Sequence, residues 1–140
     1  LKKPTRKGYA FKGWYTNSNY TKKITSIKKG SKKNYTVYAK WSKIKVKKTN
    51  GLKVTNTNGR NLVVKYSKVS GAKGYQITYA TNSKFTKGKK VVNTTKRTKT
   101  IKKLKKGKTY YVRVRAYKKD STGRKVCGKY SKVKKVKITK

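Results

Sequence analysis

The chain of 140 residues has no histidine, and its one acidic side chain, Asp120, stands against 45 lysines and arginines. Each scarcity excludes a chemistry. Without histidine, glutamate or a second aspartate there can be no paired-carboxylate acid–base machinery, no Ser-His-Asp triad and no Cys-His nucleophile. One cysteine, Cys127, and one aspartate cannot build a zinc or calcium cage. No catalytic residue, metal site or cofactor is therefore expected in this chain. A single cysteine also excludes an internal disulfide framework. No apolar run approaches the ~18 residues that a membrane-spanning helix needs; Leu62-Val63-Val64 is typical of the longest. The sequence opens at Leu1 without an n-region, h-region or cleavage site, and is expected to be a piece of a larger polypeptide that continues upstream.

What is present is charge of one sign, formally +44. Six of the 45 cations are arginine (positions 6, 60, 97, 113, 115 and 124), and 45 − 6 leaves 39 lysines. Lysine is a hydrated point charge, not a planar fork, so such a surface suits diffuse contact with a polyanion better than bidentate reading. Hydrophobic content is 32%. So little apolar material at this charge is the composition of a disordered chain. Here, however, the apolar residues alternate in short runs, and Tyr 12 with Trp 2 supply large surfaces for burial. The reading is a folded, all-β chain under a coat of lysine.

The run from Leu104 to Tyr117 organises the longer part. Tyr110, Val112, Val114 and Ala116 share one face of a period-two strand; Tyr111, Arg113, Arg115 and Tyr117 share the other. Leu104 and Gly107 form a corner ahead of it. Tyr110 is placed to tuck inward and hydrogen-bond back across that corner, leaving Arg113 and Arg115 outward as a wet basic stripe. From Gly51 onward, turn signals separate further alternating runs. These are Leu52 and Val54; Leu62, Val64 and Tyr66; Tyr75, Ile77 and Tyr79; Val91-Val92; Thr100-Ile101 with Leu104; and a last strand ending in Val136 and Ile138. Asp120 to Gly123 is the turn into that last strand, and Cys127 reads as a lone half-buried residue near its start. Ahead of residue 50, Phe11 to Tyr15 and Val37, Ala39 and Trp41 read as two short strands, with Gly13 allowing close backbone approach. Between them lies a polar stretch in which Ile24 and Ile27 could anchor a small packed segment. The expected boundaries are a small module at 1–42, an extended connector at 43–49 and a sandwich at 50–140.

Two resemblances follow from these strings. Leu104-x-x-Gly107-x-x-Tyr110-x-Val112-x-Val114-x-Ala116, with Lys68-Val-Ser-Gly-Ala-Lys-Gly-Tyr-Gln-Ile-Thr-Tyr79, resembles a fibronectin type III domain of the bacterial branch. That implies a seven-stranded β-sandwich in which Tyr66 takes the place of a usual buried tryptophan. Pro4-Thr-Arg-x-Gly8-Tyr9-x-Phe11-x-Gly13-Trp14-Tyr15, then Tyr35-Thr-Val37-Tyr38-Ala39-Lys-Trp41, resembles the second half of an internalin-type B (Listeria–Bacteroides) repeat, a β-grasp-like module. Both families recur in secreted and surface proteins of Gram-positive bacteria, so a secreted or cell-surface location is implied.

Other motif matches carry no chemistry. Gly123 to Lys129 fits the front of a P-loop, but Tyr130 replaces the required Ser/Thr and no helix follows. Asn58-Gly59-Arg60 is first a hairpin turn. Tyr110, Leu104, Tyr66, Trp14 and Trp41 are assigned to the core, where such rings dominate burial. Arg113, Arg115, Tyr111, Tyr117, Arg124 and Lys125 are the candidate polyanion contacts. The leading functional reading is a non-catalytic basic module pair acting as spacer and electrostatic binder of anionic cell-wall polymers or glycans. A sequence-independent nucleic-acid-binding or matrix protein and a passive stalk are the alternatives.

Overall fold

The computed structural model describes residues 1–140. It contains eleven strands, β1 to β11, and no helix. The chain divides into two compact units, Leu1–Ile44 with Lys119–Val126, and Lys45–Lys118 with Cys127–Lys140.

In the first unit, β1 (Tyr9–Tyr15) lies between β2 (Lys23–Ile24) and β3 (Tyr38–Lys43), antiparallel to both. The β1–β3 register shifts between Phe11 and Gly13. Residues 11 and 14 have opposite parity and would face apart in a regular strand. A bulge of this kind re-aims side chains. The rings of Phe11 and Trp14 meet edge to face at 5.5 Å, with Trp41 against Phe11 at 5.6 Å. Gly13 makes this possible: its φ is +129°, and a Cβ there would stand 2.8 Å from Lys23 Cε. Only glycine takes such a backbone without cost. The expected core is only half realised. Trp14 and Trp41 are half-buried, Ile27 is exposed, and no residue between 1 and 44 is buried. Three short strands offer too little second layer to cover a sheet.

The remaining strands form a sandwich and lie in the second unit, except for the last residue of one strand (Lys119) and the first two of another (Lys125–Val126), which are grouped with the first. β4 (Lys53–Thr57), β5 (Asn61–Lys65) and β8 (Thr98–Ile101) form one sheet. The other has the order β10–β9–β6–β7, with β11 also paired to β9. Its strands are β6 (Gly74–Ala80), β7 (Lys90–Thr94), β9 (Thr109–Lys119), β10 (Lys125–Cys127) and β11 (Lys134–Lys137). Leu62, Val64, Ile77, Val112, Val114 and Ile138 are wholly enclosed between the sheets. Each such side chain is worth about 1.5–3 kcal/mol of transfer free energy. Tyr66 is buried as expected, packs on Tyr75 at 4.8 Å and donates its hydroxyl to Lys96 O. Tyr75 Oη in turn accepts from Val69 N at 2.9 Å. Burial, then the neighbouring Tyr75, pushes the Tyr66 phenol up to about 12, since both disfavour the phenolate.

One expectation is corrected. The sandwich has eight strands where seven were expected, because the last one breaks in two. Gly128 N donates to Ala116 O and Ser131 N to Val114 O, so three steps on one strand face two on the other. Ser131 Oγ then accepts from Val114 N at 3.0 Å, replacing the lost ladder bond. The neighbouring segment accounts for the break. Residues 45–49, within the extended connector, run against the sandwich. Thr49 is buried, Val46 packs on the core, and a Cβ on Gly128 would lie 2.7 Å from Lys47 O.

Candidate anion-binding surface

The tyrosine corner is built as the spacing predicts. Tyr110 is buried and its Oη accepts from Lys105 N at 3.0 Å, with Leu104 buried beside it. Val112, Val114 and Ala116 follow Tyr110 into the interior. The opposite face departs from expectation. Arg113 and Arg115 are half-buried. The Arg113 guanidinium sits against two rings, 4.0 Å from the centroid of Tyr130 and 4.3 Å from that of Phe85. Arg115 lies 4.5 Å from Tyr130 and donates from Nε to Gln76 Oε1 at 2.8 Å. Planar guanidinium stacks readily on aromatic faces, and each desolvated contact contributes up to about 2 kcal/mol. These cations cap the sheet instead of standing in water.

Tyr117, expected on that outer face, is buried, because Gly74 offers no side chain and the tyrosine ring covers the gap. A Cβ at Gly74 would collide with Tyr117 Oη. Tyr111 is half-buried, while Arg124 and Lys125 are exposed and fall in the first unit. The six candidates thus divide between the two units, and only the two of the first unit are exposed. Cys127 is a free, half-buried thiol.

Asp120 is no loose turn residue. It is the only buried residue of the first unit. Its Oδ2 accepts from Gly8 N at 2.8 Å, and its Oδ1 from Thr122 N at 2.8 Å, Arg124 N at 3.1 Å and the Thr122 hydroxyl. Beside it, Ser121 exchanges hydrogen bonds with both backbone polar groups of Arg6. The Gly8 amide first, then the Thr122 hydroxyl, holds the carboxyl well below its ordinary range, at about 2. Hydrogen bonds to the charged form act in this direction. The chain's single side-chain anion is thus consumed internally.

One device went unread in the sequence. Thr16-Asn-Ser-Asn-Tyr-Thr-Lys22 and Thr81-Asn-Ser-Lys-Phe-Thr-Lys87 make the same loop, one in each unit. Asn17 Oδ1 accepts from Thr21 N and Lys22 N, and Asn82 Oδ1 from Thr86 N and Lys87 N. Thr16 N closes on Lys22 O at 2.9 Å and Thr81 N on Lys87 O at 3.0 Å. The aromatic residues take φ values of 57° and 56° and each meets a cation, Lys40 on Tyr20 and Arg113 on Phe85. The recurring Thr-Asn-Ser-x-aromatic-Thr-Lys string was the available signal.

Antiparallel sheets of three and five strands, locked by a corner tyrosine, define an immunoglobulin-like β-sandwich module. The chain belongs to the fibronectin type III domain family, which residues 47–126 match. Residues 1–40 match the Listeria-Bacteroides repeat domain, so both resemblances hold. Among solved structures, an Fn3-like protein from Clostridium thermocellum is 22% identical over 66% of this chain and 92% of that one, at a TM-score of 0.52. The sixth fibronectin type III domain of human fibronectin type III domain containing protein 3 is 16% identical (70% and 90% covered, TM-score 0.54). The FN1–FN3 domains of chicken CNTN1 are 16% identical, covering 76% of this chain and 36% of that one, at 0.59. At these identities the likeness is one of fold. No curated protein matches the chain. Both families are typical of extracellular or surface proteins, and fibronectin type III domains are generally non-catalytic. No helix is long and apolar enough to cross a membrane.

Proposed function

We propose that this chain is a non-catalytic spacer of a secreted or surface protein that also holds anionic cell-wall polymers or glycans by charge. The observation that carries the reading is the unbalanced +44, whose one side-chain carboxylate already accepts from Gly8, Thr122 and Arg124. The lysines have almost nothing of opposite sign within the chain to answer them, so their counter-charge comes from solution or from a partner. Arg113 and Arg115, which could read a planar anion, are stacked away on aromatic rings. The exposed cations that remain are overwhelmingly lysine, with Arg60, Arg97 and Arg124 scattered among them, and hence suit sequence-independent contact.

Sedimentation with purified cell walls, before and after chemical removal of their phosphodiester polymers, tests this. Retention that disappears on stripping and weakens steeply with salt is expected; engagement of six to ten phosphates would cost about 10³–10⁵ in affinity between about 50 and 200 mM salt. Equal retention by stripped and intact walls would overturn it. Competition by duplex DNA that outruns the wall polymer at matched salt would transfer the reading to nucleic acid.

A further inference from the structure

Between the start of β7 and the corner leading into β9 the second unit carries a cleft of about 420 Å³. Lys90, Lys102, Lys103, Lys105 and Lys108 line it, together with the tyrosines Tyr79 and Tyr110. Three separate segments deliver these lysines: the first residue of β7, the passage after β8, and the turn before β9. All five are exposed, whereas Tyr79 and Tyr110 are more than nine-tenths buried. The corner fixes this arrangement. Lys105 N is anchored on Tyr110 Oη, and Lys108 N closes a turn on Lys105 O at 3.2 Å.

The hydrogen-bonding character of the wall is one-sided. Tyr79 lines the cleft and meets its neighbour Tyr110 ring to ring at 6.2 Å. Tyr110 Oη accepts one bond, from Lys105 N, so its hydroxyl retains a proton to donate. A lysine ammonium can only donate. The cleft therefore offers five cations and two phenols beside the Thr81 hydroxyl, which donates to Lys87 O, and no side-chain carboxylate exists in this unit to receive them. An apolar wall of ring and Leu104 carbon beneath the charges keeps their field from being dissipated in water.

We infer that this cleft is the specific seat of the polyanion: it takes one phosphate or sulfate ester group, with the ammonium groups around the oxyanion and the Tyr79 hydroxyl donating to it. The inference rests on the polyanion-binding function proposed above and adds a place to it. Occupation also relieves the mutual repulsion of five lysines held around one opening.

Two triple variants and two probes test the site. K102Q/K105Q/K108Q removes cleft charge, and K53Q/K65Q/K135Q removes the same charge from exposed positions on β4, β5 and β11. Backbone bonds at Lys105 persist in the first, and thermal melts establish that both variants fold. Calorimetric titration at low salt uses inorganic tripolyphosphate in one arm and a sulfated disaccharide in the other. The cleft variant is expected to bind about tenfold more weakly, and the control variant about twofold at most. Y79F is expected to weaken binding a further few-fold without altering the melt, since it removes only the donated proton, about one hydrogen bond. The tighter arm identifies phosphate or sulfate as the group recognised. Equal weakening of both triple variants would overturn the cleft and leave diffuse binding intact. Absence of binding to either probe by a protein that still sediments with walls would also overturn the cleft alone. A wild-type protein that binds neither probes nor walls would remove both proposals.

Discussion

Asp120 decides how this molecule answers acid. Most proteins lose stability at low pH through many carboxylates at once, whereas here one side chain carries almost the whole response. Its folded-state value is lowered to about 2 by hydrogen bonds that an unfolded chain cannot make. A group lowered in the folded state stabilises above its ordinary range and ceases to do so as it takes up its proton. The contribution is therefore present at neutrality and is lost as pH falls through about 2. Both tryptophans, Trp14 and Trp41, lie in the first unit, so indole fluorescence follows that unit alone. Thermal melts by indole emission should hold steady from neutrality to the carboxylate range and then drop. D120N should melt lower at neutral pH and show no such drop, because an amide cannot titrate and places a donor near the Gly8 amide. A variant with the same acid profile as the parent would refute the assignment. Composition showed that this acid was alone, but not that its carboxylate meets Gly8, which is 112 residues away in sequence.

At the scale of the element, β9 from Tyr110 onward was legible because its period-two pattern is enforced by a dry interior on one side only. In Y110F the Lys105 amide loses its acceptor. The loss should cost about 1–2 kcal/mol, read as a lower urea midpoint with unchanged slope. No loss would mean that the corner is held by ring packing alone. The outer face was less legible, since Arg113 is covered by Phe85 and Tyr130 from other elements, and alternation says nothing about what another segment lays on top. The paired loops were unread for a different reason. Their order comes from the side chains of Asn17 and Asn82 replacing backbone acceptors. That signal is carried by sequence identity between distant segments and not by periodicity. N17A and N82A should each lose two backbone hydrogen bonds. The expected cost is about 1 kcal/mol in each case. The N17A effect should appear in indole fluorescence and the N82A effect only in circular dichroism. Matching behaviour in both signals for both variants would refute independent loops.

Over the whole molecule the deciding quantity is self-repulsion. A formal +44 on 140 residues puts many ammonium groups within reach of one another. The Debye length shrinks from about 10 Å at about 0.1 M salt to about 3 Å at about 1 M, so near-neighbour repulsion survives moderate salt and fades only as salt rises further. Screening acts more strongly on the compact state, where the charges are closest. Melting temperature should therefore climb with sodium chloride. Sodium sulfate at equal ionic strength should raise it more, because sulfate both screens and is excluded from apolar surface. A bound polyanion adds mass-action stabilisation of about 2.7 kcal/mol at roughly a hundred times its dissociation constant. The cleft sharpens this expectation: at low salt a stoichiometric amount of tripolyphosphate should stabilise the second unit by more than the same ionic strength of chloride. The first unit, followed through its tryptophans, should respond to the two salts alike at matched ionic strength. A melting temperature that falls on adding moderate salt would mean that the lysines are already compensated within the fold, and the electrostatic account of the molecule would fail with it.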